Sequence, residues 1–426
     1  MRQVPPRRGF LYISVLVTSL IVVATATTAF SISSYRMRSR QSNHESLAAL
    51  RAAESESHRV ATMLSGADLS WRNNRTSGSL AVWRASDEGA MVTSRLVDAD
   101  ANLGDDPSDP VELTCFATVG RARRGIACIL QPVIKPLPIL NFSLVSSGSI
   151  NIAATGGFNC TGKVRCGSSV TSLTGGMASA TQWIVTNAVD PAVRGESLGS
   201  TGQALAIPSS TILSTYITTG SQIPAGSLAL TNGSRQLRKA LLTASVNPYG
   251  AISASGIYWI DAGGLPVTIS ECRIEATLAI VNCSQVTITK GNYWKAPLVG
   301  GAVLLTTAAI RVDQSEAVMN ESSMAFNLNP ASAPFRGISD ADTSDRYHSL
   351  IEGVIYTPSI FEWTAANPTH GMLLRGMVVC GGASIAGPMS LQEDPSISLN
   401  PPQGFRLYDQ LEFVRGSWRS VIVPAI

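Results

Sequence analysis

Charged residues are scarce in this chain. Asp, Glu, Lys and Arg together make up 14% of the 426 residues, aromatic residues make up 6%, and the net charge is only +3. Such a small positive excess, with no long block of Lys and Arg to follow a phosphate backbone, excludes nucleic acid as a partner. Gly, Ser, Thr, Ala and Val are abundant instead, which favours short strands and turns over a helical enzyme. We therefore predict a mainly β protein.

Sequence motifs for metal and phosphate binding are also missing. The seven cysteines form no CxxC pair and the four histidines are scattered, so the chain has no zinc-binding spacing. Gly157 to Lys163 match the phosphate-loop pattern GxxxxGK, but Val164 stands where a magnesium-binding Ser or Thr is required. We predict no catalytic residue, no metal site and no cofactor.

Two acidic segments are the remaining candidates for chemistry. The first, DADANLGDDPSD at residues 98–109, lacks the ordered Asp-x-Asp-x-Asp-Gly spacing of a calcium loop, so a solvated loop is predicted. The second, SDADTSDRYHS, contains Asp340, Asp342, Asp345 and His348. Grouped carboxylates can cleave glycans or bind calcium, but no second cluster accompanies this one, which favours a solvated turn.

The cysteines fall into pairs that are close in the sequence. The pairs are Cys115 with Cys128, Cys160 with Cys166, and Cys272 with Cys283, and Cys380 is left over. Outside the cytoplasm such neighbours can form local disulfides, whereas in a reducing compartment they would remain buried thiols. The sequence leaves both alternatives open.

A long apolar segment begins near the N-terminus. Phe10 to Tyr35 contain no charged residue, and a helix of this length reaches about 39 Å, enough to cross a hydrocarbon core of about 30 Å with some tilt. Arg2, Arg7 and Arg8 precede the segment, and Arg36, Arg38 and Arg40 follow it. The leading arginines are typical of a cytoplasmic start, although those that follow weaken the charge asymmetry. A single N-terminal membrane span is predicted.

The helical pattern continues beyond this apolar segment. Leu47, Leu50, Ala53, Ala61 and Leu64 recur near helical spacing, and charged residues occupy the positions between them. One helix from about Phe10 to Leu64 is therefore predicted. A signal peptide that is cut off and discarded would not need this extension.

The rest of the chain reads as strands. Val111 to Val119 and Gly125 to Leu130 flank the polar segment GRARR and predict a hairpin. From Pro136, short apolar runs alternate with Gly, Ser and Asn, which favours a right-handed parallel β-helix solenoid over a β-sandwich. A short helix is predicted within residues 234–250.

These patterns predict five regions. They are a basic leader at 1–9, a transmembrane and stalk helix at 10–65, a small antiparallel β region at 66–135, a β-solenoid ectodomain at 136–395, and a C-terminal capping segment at 396–426.

The N-terminal 60 residues resemble a type IV prepilin-like protein, in particular PilX-like minor pilins and minor pseudopilins of type II secretion. A short basic leader ends in Gly9, and Phe10 begins an apolar helix that becomes amphipathic. The resemblance implies cleavage by a prepilin peptidase between Gly9 and Phe10 and packing with other pilin-like subunits. The fifth mature residue is usually Glu in that family and is Ser14 here, which suggests a subunit that starts or tips a filament or stays in the membrane.

The segments GIYWIDAGG and GVIY…GMVVCGG after Pro136 also loosely resemble β-helical ectodomains attached to such helices in bacterial surface proteins. We therefore expect a non-enzymatic protein in the bacterial inner membrane, with its ectodomain in the periplasm or at the cell surface, where it could bind a glycan or a protein. Ala24-Thr-Ala26 would fit signal-peptide cleavage, and an uncleaved anchor is a further alternative. An anchored carbohydrate-active β-helix enzyme and a secreted β-solenoid adhesin are the rival functions.

Overall fold

The structure is a computed structural model. It describes residues 8–65, 70–86, 89–153, 157–172, 177–187, 189–190, 193–198, 207–313, 315–364 and 373–422, with the backbone alone at 8–11, 70 and 196–198. By contacts it divides into a smaller unit, residues 1–134 with 408–426, and a larger unit of residues 135–407, called the body below.

The helices and strands are as follows. The helices are α1 Arg8–Leu64, α2 Ser70–Asn74, α3 Ile212–Thr219, α4 Glu321–Met324 and α5 Ser396–Leu399, with 3-10 turns at Pro138–Asn141 and Ala225–Ser227. The first strands are β1 Arg84–Ala85, β2 Met91–Asp98, β3 Val111–Val119, β4 Ala122–Pro136, β5 Leu144–Ser146, β6 Ile150–Ile152, β7 Gly157–Cys160, β8 Lys163–Cys166, β9 Val170–Ser172, β10 Met177–Val185, β11 Val193–Leu198, β12 Ser221–Gln222, β13 Ala229–Thr231 and β14 Ser234–Arg238. The later strands are β15 Leu241–Leu242, β16 Ile257–Asp261, β17 Val267–Glu275, β18 Thr277–Val281, β19 Gln285–Lys295, β20 Ala302–Thr306, β21 Ala309–Asp313, β22 Val318–Asn320, β23 Arg346–His348, β24 Leu350–Trp363, β25 Leu373–Ile385, β26 Met389–Gln392, β27 Arg406–Phe413 and β28 Arg419–Val421.

The long N-terminal helix is confirmed, since α1 runs from Arg8 to Leu64 without a break. Its second half is amphipathic and packs within the smaller unit. The buried positions recur every three or four residues, as the apolar face of an α-helix requires; they are Ala49, Ala52, Ala53, Val60, Ala61 and Leu64. The alanines let the helix approach the sheet closely, and this face forms two apolar clusters with residues of β2, β3 and β4.

The sheet of the smaller unit is antiparallel, in the order β1-β2-β3-β4-β27, with β28 also paired to β4. The predicted hairpin is confirmed, because β3 and β4 pair from Val111↔Leu130 to Val119↔Ala122. At its turn Gly120 has φ +54°, and a Cβ there would lie 2.7 Å from the Glu45 carboxyl carbon. That carboxylate accepts the Arg121 N–H at 3.1 Å and so ties the turn to α1.

The C-terminal segment, expected to cap the body, divides between the two units. Helix α5 lies in the body, whereas β27 and β28 pair with β4. The β28 register runs from Arg419↔Ala127 to Val421↔Gly125. The sheet of the smaller unit is therefore formed by the early strands β1 to β4 together with the late strands β27 and β28.

The body is built mainly from parallel strands that stack apolar side chains in rows. Successive register partners form one such row, and all its members are almost fully buried; they are Ile269, Ile288, Val312, Trp363, Ile385 and Ile152. β-branched and aromatic side chains dominate the row because they pack well between neighbouring strands. The rows merge into one large apolar core.

The fold class predicted for the body is wrong. A right-handed β-helix solenoid adds its coils in the order of the chain, whereas here β25 pairs with β5 and β6 from the opposite end of the body. The parallel strands close around the core in a barrel-like arrangement, and the smaller unit's sheet is an antiparallel half-barrel. The prediction failed because each short apolar run specifies a strand and an inward face, but not the partner strand.

The helix predicted within residues 234–250 is also wrong, because this segment forms β14 and β15. Leu237 faces the core with 0% exposure, and β14 pairs in parallel with β17 from Arg235↔Val267 onward. Lys239 then adopts a left-handed backbone with φ +47°, which ends the strand. Pairing with a neighbouring strand outweighed the local preference of this segment for a helix.

Candidate functional site

The first half of α1 is an exposed apolar surface. No residue from Tyr12 to Ala48 is buried, and large apolar side chains such as Leu20, Val22 and Phe30 are more than half exposed. Within the described residues α1 is the one helix long and apolar enough to cross a membrane, and no part of its most apolar stretch is buried. Water exposure of so large an apolar surface is unfavourable, so this half of the helix requires a bilayer or neighbouring subunits.

Many hydroxyl side chains in this segment are satisfied within the helix. Six of them donate to a carbonyl three or four residues earlier, at 2.7–3.0 Å; they are Thr18, Ser19, Thr25, Thr27, Thr28 and Ser31. A hydroxyl without a partner would be costly in hydrocarbon, but one that bonds back to its own helix is tolerated. The Ser and Thr content is therefore compatible with a membrane span.

The proposed processing sites lie within this helix. The backbone of Gly9 and Phe10 belongs to the first turn of α1. Ala26 lies in the middle part of the charge-free segment of the same helix. The leader residues 1–7 lie outside the described residues. Arg36, Arg38 and Arg40 are exposed and follow the apolar stretch directly, where they could contact lipid headgroups.

The body carries a separate cleft of about 990 Å³. It lies between β17, β19, β24 and the connection that leads from β21 to β24. Its charged lining has five cationic side chains and two carboxylates; they are Arg273, Lys295, Arg336, Arg346 and Arg375 with Glu275 and Glu352. Tyr293, Phe335 and Tyr347 add three aromatic rings, and Phe335 packs edge-on against both tyrosines.

Arg273 organises one wall of this cleft. The side chain is 1% exposed and donates to the carbonyls of Leu328, Ala333 and Pro334 at 2.5–2.9 Å. It also pairs with the Glu275 carboxylate at 2.7 Å. A single guanidinium thus fixes the loop backbone that would otherwise leave three carbonyls without donors.

The structure separates the four residues that the sequence grouped in the second acidic segment, SDADTSDRYHS. The Asp340 and Asp345 carboxylates both accept from the Asn329 side-chain amide, at 3.2 and 2.8 Å, and hold the loop together. Asp342 is exposed, and the hydrogen bonds from Ser344 lower the pKa of its carboxyl. These three aspartates do not line the cleft, whereas His348 does. The four predicted residues therefore do not form one site.

The carboxylates that do line the cleft are engaged in ion pairs. Glu352 contacts Lys295 at 2.8 Å and Arg375 at 3.5 Å, and its hydrogen bond raises the pKa of Lys295. Glu275 is paired with Arg273. Both carboxylates that line the cleft therefore already have cationic partners in its wall.

One pattern resembles a serine hydrolase motif. The sequence GESLG, Gly195 to Gly199, matches GxSxG, in which the serine stands at a tight turn from a strand into a helix. Ser197 lies inside β11, paired in parallel with Trp183 of β10, so the described residues do not place it at such a turn. The phosphate-loop match at Gly157 to Lys163 likewise connects two strands, β7 and β8, without the helix that a phosphate loop requires.

All seven cysteines are free thiols in the structure, and all but Cys283 are buried. Cys115 and Cys128 lie on adjacent strands but two residues out of register, since Cys115 faces Ile126 and Cys128 faces Leu113. Burial raises the pKa of Cys272 and Cys380 to about 12, so both are protonated and poorly nucleophilic near neutral pH. Disulfide formation within the three sequence pairs stays a prediction.

The cleft and Arg273 were missed by sequence reasoning. The one available signal was the run ECRIE, in which charged residues interrupt an otherwise apolar strand. A charge at such a position needs a buried partner, but the partners lie about 55–60 residues further along the chain.

Comparison with known proteins gives little further guidance. No protein-family model matches the chain, and no curated protein matches it. Among solved structures it is similar to the competence-associated pilin ComZ from Thermus thermophilus, over 88% of this chain and 98% of that chain, at 10% identity and a TM-score of 0.33. We draw no conclusion about fold or function from a likeness at that level.

Proposed function

We propose that this chain is a pilin-like, membrane-anchored structural or assembly protein without catalytic activity. The observation that carries the proposal is the division of α1 into an exposed apolar half and a half packed against a sheet. A helix of this kind inserts its first half into the bilayer and holds a folded domain outside it. The body would lie in the periplasm or at the cell surface.

The same helix would mediate assembly with other subunits. Pilin-like subunits pack through their apolar helices, so the proposed partners are other pilin-like subunits of a type IV pilus or a type II secretion pseudopilus. A prepilin peptidase would remove the leader after Gly9. Ser14 provides no carboxylate to pair with a neighbouring terminal amine, which favours a minor component that starts or tips a filament over a major pilin.

The N-terminus of the mature protein tests this proposal. Mass spectrometry of the protein from membranes of its native host is expected to give a chain that starts at N-methylated Phe10. Gly9→Val should leave the leader in place, because the peptidase requires a small residue before the cut. Ala26→Val should leave the mature N-terminus at Phe10.

Two other results for the mature N-terminus would contradict prepilin processing. A chain that starts at Thr27, with cleavage blocked by Ala26→Val and not by Gly9→Val, would make the protein a secreted one. An intact Met1 in the wild-type chain would leave a plain membrane anchor.

The cleft of the body favours a second, binding role. Cationic side chains outnumber carboxylates there by five to two, and Arg336 stacks on the Phe335 ring at 5.1 Å. Exposed arginines suit an acidic polysaccharide, whose carboxylates would pair with the guanidinium groups. We propose such a surface glycan as the ligand.

The exposed arginines Arg336 and Arg346 provide the test of this binding role. In affinity electrophoresis through gels containing polygalacturonate, Arg336→Gln/Arg346→Gln should weaken retardation of the full chain at least tenfold. A control with the same charge change in the smaller unit, Arg121→Gln/Arg123→Gln at the turn and first residues of β4, should bind as the wild type does. Equal retardation of all three proteins would exclude the cleft as the binding site.

A further inference from the structure

The acidic segment at residues 98–109 brings together carboxylates that are separated in the sequence. It connects the end of β2 to the start of β3 and gathers four carboxylates from distant points in the segment. One oxygen each from Asp98, Asp100, Asp105 and Asp109 lies within 4.8 Å of the other three. The sequence does not predict this arrangement, because the spacing of the aspartates is not that of an EF-hand loop.

Asp98 distinguishes this cluster from an ordinary group of surface carboxylates. Its side chain has 0% exposure, and one carboxylate oxygen accepts the Ala99 N–H at 2.6 Å. The other oxygen, Oδ2, is buried without any hydrogen-bond donor. The nearest cation is Arg72 Nη1 at 3.9 Å, beyond hydrogen-bond distance. A buried carboxylate oxygen without a donor is costly, and a bound cation would remove that cost.

Arg72 holds the segment in place from the inner side. It is 3% exposed and donates to the carbonyls of Leu103, Asp106 and Asp109 at 3.3, 3.1 and 2.7 Å. These bonds fix the backbone around the carboxylates before any ligand arrives. A preorganised loop loses less conformational entropy when a cation binds.

The charges of the cluster are not balanced. Four carboxylates face a single guanidinium, and Asp106 adds a fifth negative charge nearby. The segment therefore has an excess of negative charge that a divalent cation would neutralise.

We propose that the Asp98–Asp109 segment binds one calcium ion through Asp98, Asp100, Asp105 and Asp109. The donors are all oxygens, which hard divalent cations prefer. Calcium–oxygen bonds of about 2.4 Å place oxygens on opposite sides of the ion roughly 4.8 Å apart, so four oxygens within 4.8 Å of one another can surround it. A set of four protein carboxylates suits calcium, whereas magnesium usually keeps several waters and binds only one or two carboxylates. The exposed side of Asp100 and Asp105 leaves room for water ligands.

Bound calcium would stabilise the smaller unit's sheet at the point where the end of β2 pairs with the start of β3. Asp98 is the last residue of β2 and pairs with Val111, the first residue of β3. A cation that joins Asp98 to Asp109 would fix both strand ends at this point. Stabilisation by a ligand grows with its concentration relative to Kd, so the effect should appear at the millimolar calcium found outside cells.

Terbium luminescence tests the site in the full chain, purified in detergent micelles and stripped of metals with EDTA. Tb³⁺ replaces Ca²⁺ and emits when a nearby tryptophan is excited; Trp71 contacts Arg72 and packs in the same apolar cluster as Leu103. We expect saturable emission from one site that Ca²⁺ displaces and equimolar Mg²⁺ does not. Calcium should also raise the Tm.

Two variants make the test specific. Asp100→Asn/Asp105→Asn changes two exposed side chains, so the fold should survive, and calcium affinity should fall at least tenfold. Asp261→Asn/Asp342→Asn in the body removes the same charge and should leave affinity unchanged. Equal emission and displacement in both variants would overturn the site, and equally effective displacement by Mg²⁺ would overturn the assignment to calcium.

Discussion

Replacing Val22 and Val23 with aspartate is expected to move the protein from the membrane fraction to the soluble or aggregated fraction. Both side chains are at least 60% exposed at the middle of the charge-free part of α1. Each aspartate at the centre of a spanning helix costs about 2.5–3.5 kcal/mol on insertion scales, so the double variant loses about 5–7 kcal/mol of insertion free energy. Carbonate extraction of membranes, followed by immunoblotting, measures the change.

The matched control lies on the same helix, outside the charge-free part. Leu47 and Met63 are apolar and exposed by 58% and 44%, and Leu47→Asp/Met63→Asp should leave the protein in the membrane fraction. If the wild-type chain itself is extracted by carbonate, the helix does not anchor the protein. If Val22→Asp/Val23→Asp stays in the membrane, another segment provides the anchor.

Replacing Arg273 with methionine is expected to be the most destabilising single change in the cleft. Methionine keeps much of the apolar stem but removes the donors to the carbonyls of Leu328, Ala333 and Pro334, the first two of which are buried. Each buried acceptor that loses its partner costs about 1–3 kcal/mol, so we expect a loss of about 3 kcal/mol or more in the free energy of unfolding. Urea denaturation of the full chain in detergent, followed by tryptophan fluorescence, should show a lower midpoint with an unchanged slope.

Arg375 provides the control for this prediction. It lies in the same cleft, but its side chain is 47% exposed and 3.5 Å from Glu352, and exposed ion pairs of this kind contribute about 0–1 kcal/mol. Arg375→Met should therefore have almost the wild-type midpoint. Limited proteolysis adds a local measure, because loss of Arg273 should expose residues 327–336 to cleavage. Equal midpoints and equal protease resistance in both variants would show that Arg273 does not hold the loop.

Local patterns in the sequence predicted the local structure well. The absence of charge from Phe10 to Tyr35 and the spacing of Ala53, Ala61 and Leu64 identified α1, because both signals concern residues within one or two helical turns. The β3–β4 hairpin was predicted for the same reason, since its strands are neighbours in the chain. Neither prediction depended on knowing a distant partner.

Predictions that needed a distant partner failed or could not be made. Residues 234–242 contain helix-forming residues, but Leu237 pairs with Ile269 and forms strand instead. The acidic segment at residues 98–109 was predicted to be a solvated loop, and its spacing gave no sign that Arg72 would bond to the backbone carbonyls beside its carboxylates. The loop that Arg273 holds lies about 55–60 residues away from it.

The sequence by itself determined the extent of the long helix α1, which part of that helix is apolar throughout, and that the remainder is mainly strand. Tertiary structure alone decided the order in which the strands stack, the place of Arg273 and the gathering of the four aspartates. The physical reason is that helix formation and strand alternation depend on near neighbours. Strand pairing and polar clusters depend instead on which of many similar apolar runs come together, and the free energy that selects among them comes from burial in the complete core.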